Sequence, residues 1–210
     1  MPDANPTITV RGEAVIPAEP DEAIVSVTLT ARDEAPGPAL ANVSARNNAL
    51  LELLDELGVA KSDRSTTGVT VHEEFDHTAA GRRSLGHCAA SGVSVRLTDP
   101  DVIGELVVRA TSALGARIDG PRWQIAPDNP VRLEAARAAS ADARRRAQAF
   151  AEGVGARLGR LLRLAEGQRH GLITPAGGVW RASAAAKMDV EPGEQEVTAT
   201  IEATFELDVA

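Results

Sequence analysis

The segment EAIVSVTLTARDEAPGPALANVSARNNALLELLDELG, residues 22–58, changes its hydrophobic period in mid-course, and that change decides the fold class. In its first third Val25, Val27, Leu29 and Ala31 alternate with Ser26, Thr28 and Thr30, the period-two signature of a strand with one buried and one polar face. From Pro38 onward Leu40, Val43, Leu50, Leu51, Leu54 and Leu57 recur at helical spacing, and Gly58 stands where a left-handed C-terminal cap is expected. A strand over 22–33 therefore runs into an amphipathic helix of about 20 residues.

The same two periods organise the rest of the chain. Upstream, TITVRGEAVIP predicts a strand over 7–17, and AEPD supplies turn chemistry before the strand at 22–33, so the two read as a pair. Downstream, STTGVTVHEEF (65–75) carries Thr67, Val69 and Val71 on one face, and CAASGVSVRL (88–97) carries Val93, Val95 and Leu97. Residues 76–87 between them read as a turn-rich connection. In TDPDVIGELVVRATSALGA (98–116), Thr98 or Asp99 caps a helix with Pro100 in its first turn, and Gly115 ends it. A short strand through Trp123 and Ile125 follows, then a helix over 129–153 with Asn129 as cap and Pro130 in its first turn. The inward stripe of that helix reads as Leu133, Ala136, Ser140, Ala143, Ala147 and Phe150, small in its middle so that another element can approach closely. RLLRLAE (160–166) and EVTATIEATFEL (196–207) close the chain as strands, the latter with Val197, Ala199, Ile201, Ala203, Phe205 and Leu207 on one face.

The order is β-β-α-β-β-α-β-α-β-β, and 22–127 is a split βαβ unit, β-α-β-β-α-β. The fold class is α+β: an antiparallel-rich sheet with this unit, helices on one face, and a C-terminal helix and strands. No linker divides residues 1–210, which read as a single domain. The stretch 167–193, rich in Gly, Pro, Ala and Ser and without period, reads as a mobile or interface loop. Within it Leu172, Ile173, Val179 and Trp180 are apolar side chains with no periodic reason to be there, which makes them candidate interface residues.

Composition narrows the function classes. Aromatic residues make up 2% of the chain and tyrosine is absent, so the stacking platforms of single-strand nucleic-acid binders are missing. The net charge of −8 argues against a phosphate-binding surface, and nucleic acid is not expected as a partner. Charge is uneven: −7 over residues 1–60, −1 over 61–120, +5 over 121–180 and −5 over 181–210, which suits complementarity within or between subunits. Arg144, Arg145 and Arg146 fan out around their helix and read as solvated surface. The one cysteine excludes an internal disulfide, no stretch approaches a membrane span, and the N-terminus lacks a basic start followed by an apolar core, so cytoplasmic residence is expected.

Catalytic motifs fail on inspection. GRRSLG (81–86) has Arg82 where a nucleophile elbow needs its first glycine, and Ser84 lies between strands. GVGARLG (153–159) follows a helix instead of opening one, so it reads as a helix stop and not as a phosphate cradle. Neither a P-loop nor H-E-x-x-H occurs. The richest chemistry lies in VHEEFDHTAAGRRSLGHC (71–88), which holds three of the four histidines (His72, His77 and His87) and the cysteine, Cys88. His72, His77, His87 and Cys88 match no usual zinc-ligand spacing, so a solvated hairpin tip is expected there, with no metal site, no cofactor and no catalytic residue. The alternative is a small-ligand- or metal-binding, even hydrolytic, protein that uses this hairpin, residues 72–88.

The chain also resembles the SIMPL-domain family, named for a signalling protein that associates with a Pelle-like kinase and widespread among bacterial envelope proteins. The resemblance rests on ITVRGEAVIPAEPDEAIVSV (8–27), LLELLDELGVAKSDRSTTGV (50–69), GVSVRLTDPDVIGELVVRATSALGA (92–116), EAARAASADARRRAQAFAEGVGARLGRLLRL (134–164) and VEPGEQEVTATIEATFEL (190–207). It implies a protein without an established enzymatic activity, with relatives that assemble into large symmetric oligomers and others linked to oxidative or envelope stress. No catalytic residue comes with the resemblance. A non-catalytic homo-oligomer or interaction protein is therefore the leading expectation.

Overall fold

A computed structural model describes residues 6–78, 81–167 and 193–209. Its elements are β1 (Thr7–Ala18), β2 (Glu22–Asp33), α1 (Pro36–Glu56), a short 3-10 turn (Lys61–Asp63), β3 (Arg64–Thr78), β4 (Gly81–Leu97), α2 (Pro100–Leu114), β5 (Arg117–Gln124), α3 (Val131–Gly153), β6 (Arg157–Glu166) and β7 (Gln195–Asp208). The α+β class holds, with the strands in two antiparallel sheets, β3-β4-β2-β5 and β1-β7-β6.

Contacts gather the described residues into two compact units. A central unit takes 21–78 and 81–124; a terminal unit takes 6–20, 125–167 and 193–209. The expected pairing of the first two strands does not form. β1 runs antiparallel to β7 (Thr7↔Glu206 through Ala18↔Gln195), whereas β2 lies between β4 and β5. Both strands alternate correctly, but alternation does not say which partner a strand will take.

The central unit is the split βαβ arrangement read from the sequence. β2 and β4 present Ala23, Val25, Val27, Leu29, Ala89, Val93 and Val95 to α1 and α2, which contribute Val43, Leu50, Leu54, Ile103 and Leu106. Burying each of these Leu, Ile and Val side chains stabilises the fold by roughly 1.5–3 kcal/mol before conformational entropy is counted. The helix ends follow local chemistry. Asp99 accepts a hydrogen bond from the Asp101 N–H at 2.9 Å, with Pro100 opening α2. After α1, Gly58 has φ 72°, the Gly58 N–H reaches the Asp55 carbonyl and the Val59 N–H the Leu54 carbonyl, which together satisfy the last carbonyls of the helix.

In the terminal unit α3 lies on β1 and β7, and its inward stripe differs from the one expected. The buried residues are Ala135, Ala139, Ala143, Ala147 and Ala151, while Leu133 and Phe150 are 61% and 60% exposed. Gly12 of β1 explains this. A Cβ there would lie 2.2 Å from the Ala139 carbonyl oxygen and 2.7 Å from the Ala143 Cβ, so helix and strand meet at a distance only small residues permit. The start of α3 is as expected, with Asn129 Oδ1 accepting from the Val131 N–H at 2.9 Å. The glycine-rich stretch that follows is a helix stop: Gly155 has φ 75° and the Ala156 N–H returns to the Ala151 carbonyl.

The connection 76–87 is mostly strand. β3 and β4 stay paired through Asp76↔Arg83 to Thr78↔Gly81, because cross-strand bonding overrides the local turn composition of that stretch. Leu172, Ile173, Val179 and Trp180 lie outside the described residues, as does the stretch 168–192 that contains them.

Candidate functional site

The chemistry concentrated in 71–88 is sorted by one irregularity in the β3–β4 ladder. Near the turn the pairs are Thr78↔Gly81, Asp76↔Arg83 and Phe75↔Ser84. Continued inward, that register would set His87 opposite His72. Instead Leu85 is an extra residue: beyond it Glu74 faces Gly86, Glu73 faces His87 and His72 faces Cys88. Such a bulge moves every later side chain by one position and so exchanges the faces. Gly86, with φ 94°, permits the backbone this requires, and a Cβ there would lie 2.6 Å from the Asp33 carbonyl oxygen.

The result is a cluster on the face of the central sheet away from its helices. His72 and Glu74 stand two residues apart on β3, Cys88 lies directly across from His72 on β4, and Arg32 of β2 lies directly across from Cys88. The donor atoms of His72, Glu74 and Cys88 all fall within 4.8 Å of one another. Arg32 grips the Glu74 carboxylate with both arms of its guanidinium, Nε to Oε2 at 2.6 Å and Nη2 to Oε1 at 3.1 Å. Those hydrogen bonds are the main reason the Glu74 carboxyl lies below its usual range; attraction to Arg32 and His72 and a hydrogen bond from the Cys88 thiol add to them, against partial burial. In return Glu74 raises Arg32 further. Cys88 is 5% exposed, and besides its hydrogen bond to Glu74 its Sγ has a weak 3.9 Å contact to the Ala89 carbonyl oxygen.

The remaining sequence candidates disperse. His87 is on the opposite face, its Nδ1 3.1 Å from the Glu34 carbonyl oxygen. The His77 side chain lies outside the description. Ser84 donates to Glu73 Oε1 at 2.6 Å, which makes it a partner of an exposed carboxylate and not an activated nucleophile. Arg32 was missed in the sequence, because it lies 40 residues before His72 and only strand register brings it to the cluster.

Outside this cluster, Glu22 is a buried carboxylate held by Gln124 Nε2 at 2.5 Å and by Arg96 at 3.7 Å, and Ser91 donates to Asn47 Oδ1 at 3.1 Å. Both are satisfied polar groups of the central core, with no geometry that suggests a ligand.

Comparison with known proteins bears on the whole chain. The 26 kDa periplasmic immunogenic protein of Brucella melitensis biotype 1 is 25% identical over 215 residues, covering 95% of this chain and 84% of that protein. Its counterpart from Brucella abortus strain S19 gives the same identity and coverage. Among solved structures, the de novo designed protein Foldit4 matches at a TM-score of 0.26 and 18% identity, over 47% of this chain and 91% of its own, a likeness too slight to carry an argument. No helix of the described residues is long and apolar enough to cross a membrane. The SIMPL family model, described as a protein of unknown function (DUF541), matches residues 8–205, and the chain belongs to that family.

Proposed function

We propose that this SIMPL protein is a non-catalytic, self-associating interaction protein. The observation that carries the reading is the edge of the terminal sheet. β6 is paired only with β7 among the described residues, and its Leu161 and Leu164, opposite Phe205 and Ala203, are 49% and 54% exposed. An edge strand offers unpaired N–H and C=O groups to another chain, and apolar side chains beside them add burial on contact. Arg157, Arg160 and Arg163 are interleaved with those leucines, of which Arg160 pairs with Glu206 at 2.9 Å. Charges of this kind oppose indiscriminate edge-to-edge pairing and favour a partner with a matching acidic surface. Residues 1–60 of the same chain carry −7 against +5 over residues 121–180, which supports a second copy as that partner.

The non-catalytic part rests on the failed motif matches, and a stress-related role rests on the family resemblance. Sedimentation velocity is the decisive measurement. Leu161→Asp with Leu164→Asp is expected to convert the native species to a smaller one with unchanged far-ultraviolet circular dichroism. A native chain that sediments as a monomer at micromolar concentration removes the proposal. Cytoplasmic residence and the periplasmic residence printed in the names of the Brucella relatives make opposite predictions for fractionation of the native host.

A further inference from the structure

We propose that His72, Glu74 and Cys88 form a zinc site with three protein ligands and one open position. The donor set is one imidazole nitrogen, one carboxylate oxygen and one thiol sulfur, all within 4.8 Å of one another. This mixture of soft and hard donors suits zinc; magnesium and calcium would call for oxygen ligands throughout. Tetrahedral zinc with bonds of about 2.0–2.3 Å holds its ligands roughly 3.3–3.8 Å apart. The donor separations have 4.8 Å as their upper limit, a difference on the scale of side-chain torsions with the strands where they are. Both ladders that position the donors, β3–β4 and β2–β4, continue on either side of the cluster, so the ligands stand on rigid backbone and not on a loop.

Burial agrees with this assignment. Cys88 is 5% exposed, and its thiol donates to Glu74 and makes a weak 3.9 Å contact with the Ala89 carbonyl oxygen, so its sulfur keeps lone pairs for a metal ion. His72 is exposed, which leaves the fourth position open to water. On binding, the Cys88 thiol releases its proton, and the thiolate and carboxylate offset the charge of the divalent ion, while Arg32 leaves the cluster with one positive charge. Arg32 acts as a positioning residue: one Glu74 oxygen turns to the metal while the other keeps its guanidinium hydrogen bond, which fixes the carboxylate.

The test uses the full chain purified without a histidine tag, stripped with a chelator and titrated with zinc against a chromophoric competitor, then with cobalt. One zinc per chain is expected, and the cobalt form should show the near-ultraviolet absorption of thiolate-to-cobalt charge transfer. Cys88→Ser should abolish that band. His72→Ala and Glu74→Gln should each weaken zinc binding by more than the roughly 10–100-fold typical of losing an outer partner, whereas His87→Ala, on the other face, should leave it unchanged. Circular dichroism of each variant shows whether it is folded, and Glu74→Gln, isosteric and partly exposed, supplies a folded variant if Cys88→Ser does not. Failure of the native chain to bind zinc at micromolar free concentration overturns the site. So does binding that survives Cys88→Ser, or that is lost equally in His87→Ala.

Discussion

The two units solve one packing problem in opposite ways. The central unit lays two helices, and the terminal unit one, on an antiparallel sheet, but the central unit fills the gap with Leu50, Leu54, Ile103 and Leu106 against Val25, Val27 and Leu29, whereas the terminal unit nearly abolishes the gap with alanines against Gly12. In the first case stability comes from the volume of side chains; in the second it comes from close approach of backbones. The difference predicts opposite vulnerabilities: the central unit is sensitive to lost volume and the terminal unit to added volume.

The largest expected effect is therefore a cavity in the central unit. Leu54 is fully buried among the side chains of the central core, so Leu54→Ala should cost about 2–5 kcal/mol in urea unfolding. Amides of β2 and β4 should lose hydrogen-exchange protection. A cost close to that of an exposed substitution would mean that this core is not a rigid interlock. The mirror experiment is Gly12→Ala, which adds one methyl where no space exists and should cost about 1–3 kcal/mol or more. The comparison is sharpened by Gly12→Ala with Ala143→Gly. Removing the Ala143 methyl relieves the 2.7 Å contact but leaves the 2.2 Å clash with the Ala139 carbonyl oxygen, so little stability should return. Full rescue would show that side chains, and not backbones, set the distance.

Local signals were legible in the sequence and long-range ones were not. Asp99 with Pro100, Asn129 with Pro130, and Gly58, Gly115 and Gly155 marked helix ends through chemistry confined to a few residues, and the alternation in β2 and β7 identified the buried faces of both sheets. The inward face of α3 was misread because Leu133 and Phe150 are more apolar than alanine; the reason alanine is inside is Gly12, more than 100 residues away. The candidate site shows the same limit. His72 and Glu74 could be placed on one face of a strand, but Cys88 joined them only through the extra residue at Leu85. The glycine at position 86 is the one sequence feature that could have suggested the bulge. Arg32 could not be placed at all until β2 was known to pair with β4.

The smallest expected effect concerns charge, and it tests whether the close approach in the terminal unit is also held electrostatically. Asp142 of α3 accepts a hydrogen bond from the Glu13 N–H of β1 at 3.2 Å and lies 3.0 Å from Arg145 and 2.8 Å from Arg146. The backbone hydrogen bond first, then the two arginines, hold its carboxyl below the usual range, against partial burial. A carboxyl depressed on folding stabilises the native state above its unfolded value of about 3.9, and that contribution disappears as pH falls through the still lower native value. Asp142→Asn keeps an acceptor for the Glu13 N–H but loses the charge. Its thermal midpoint should fall slightly at neutral pH, and the difference from the native chain should shrink as the pH drops below about 4. Amide exchange at Glu13 should quicken at neutral pH, where the native carboxylate is charged. If the midpoint difference stays constant down the acid limb, the contact matters through shape alone, and small-residue packing is sufficient to hold α3 on β1.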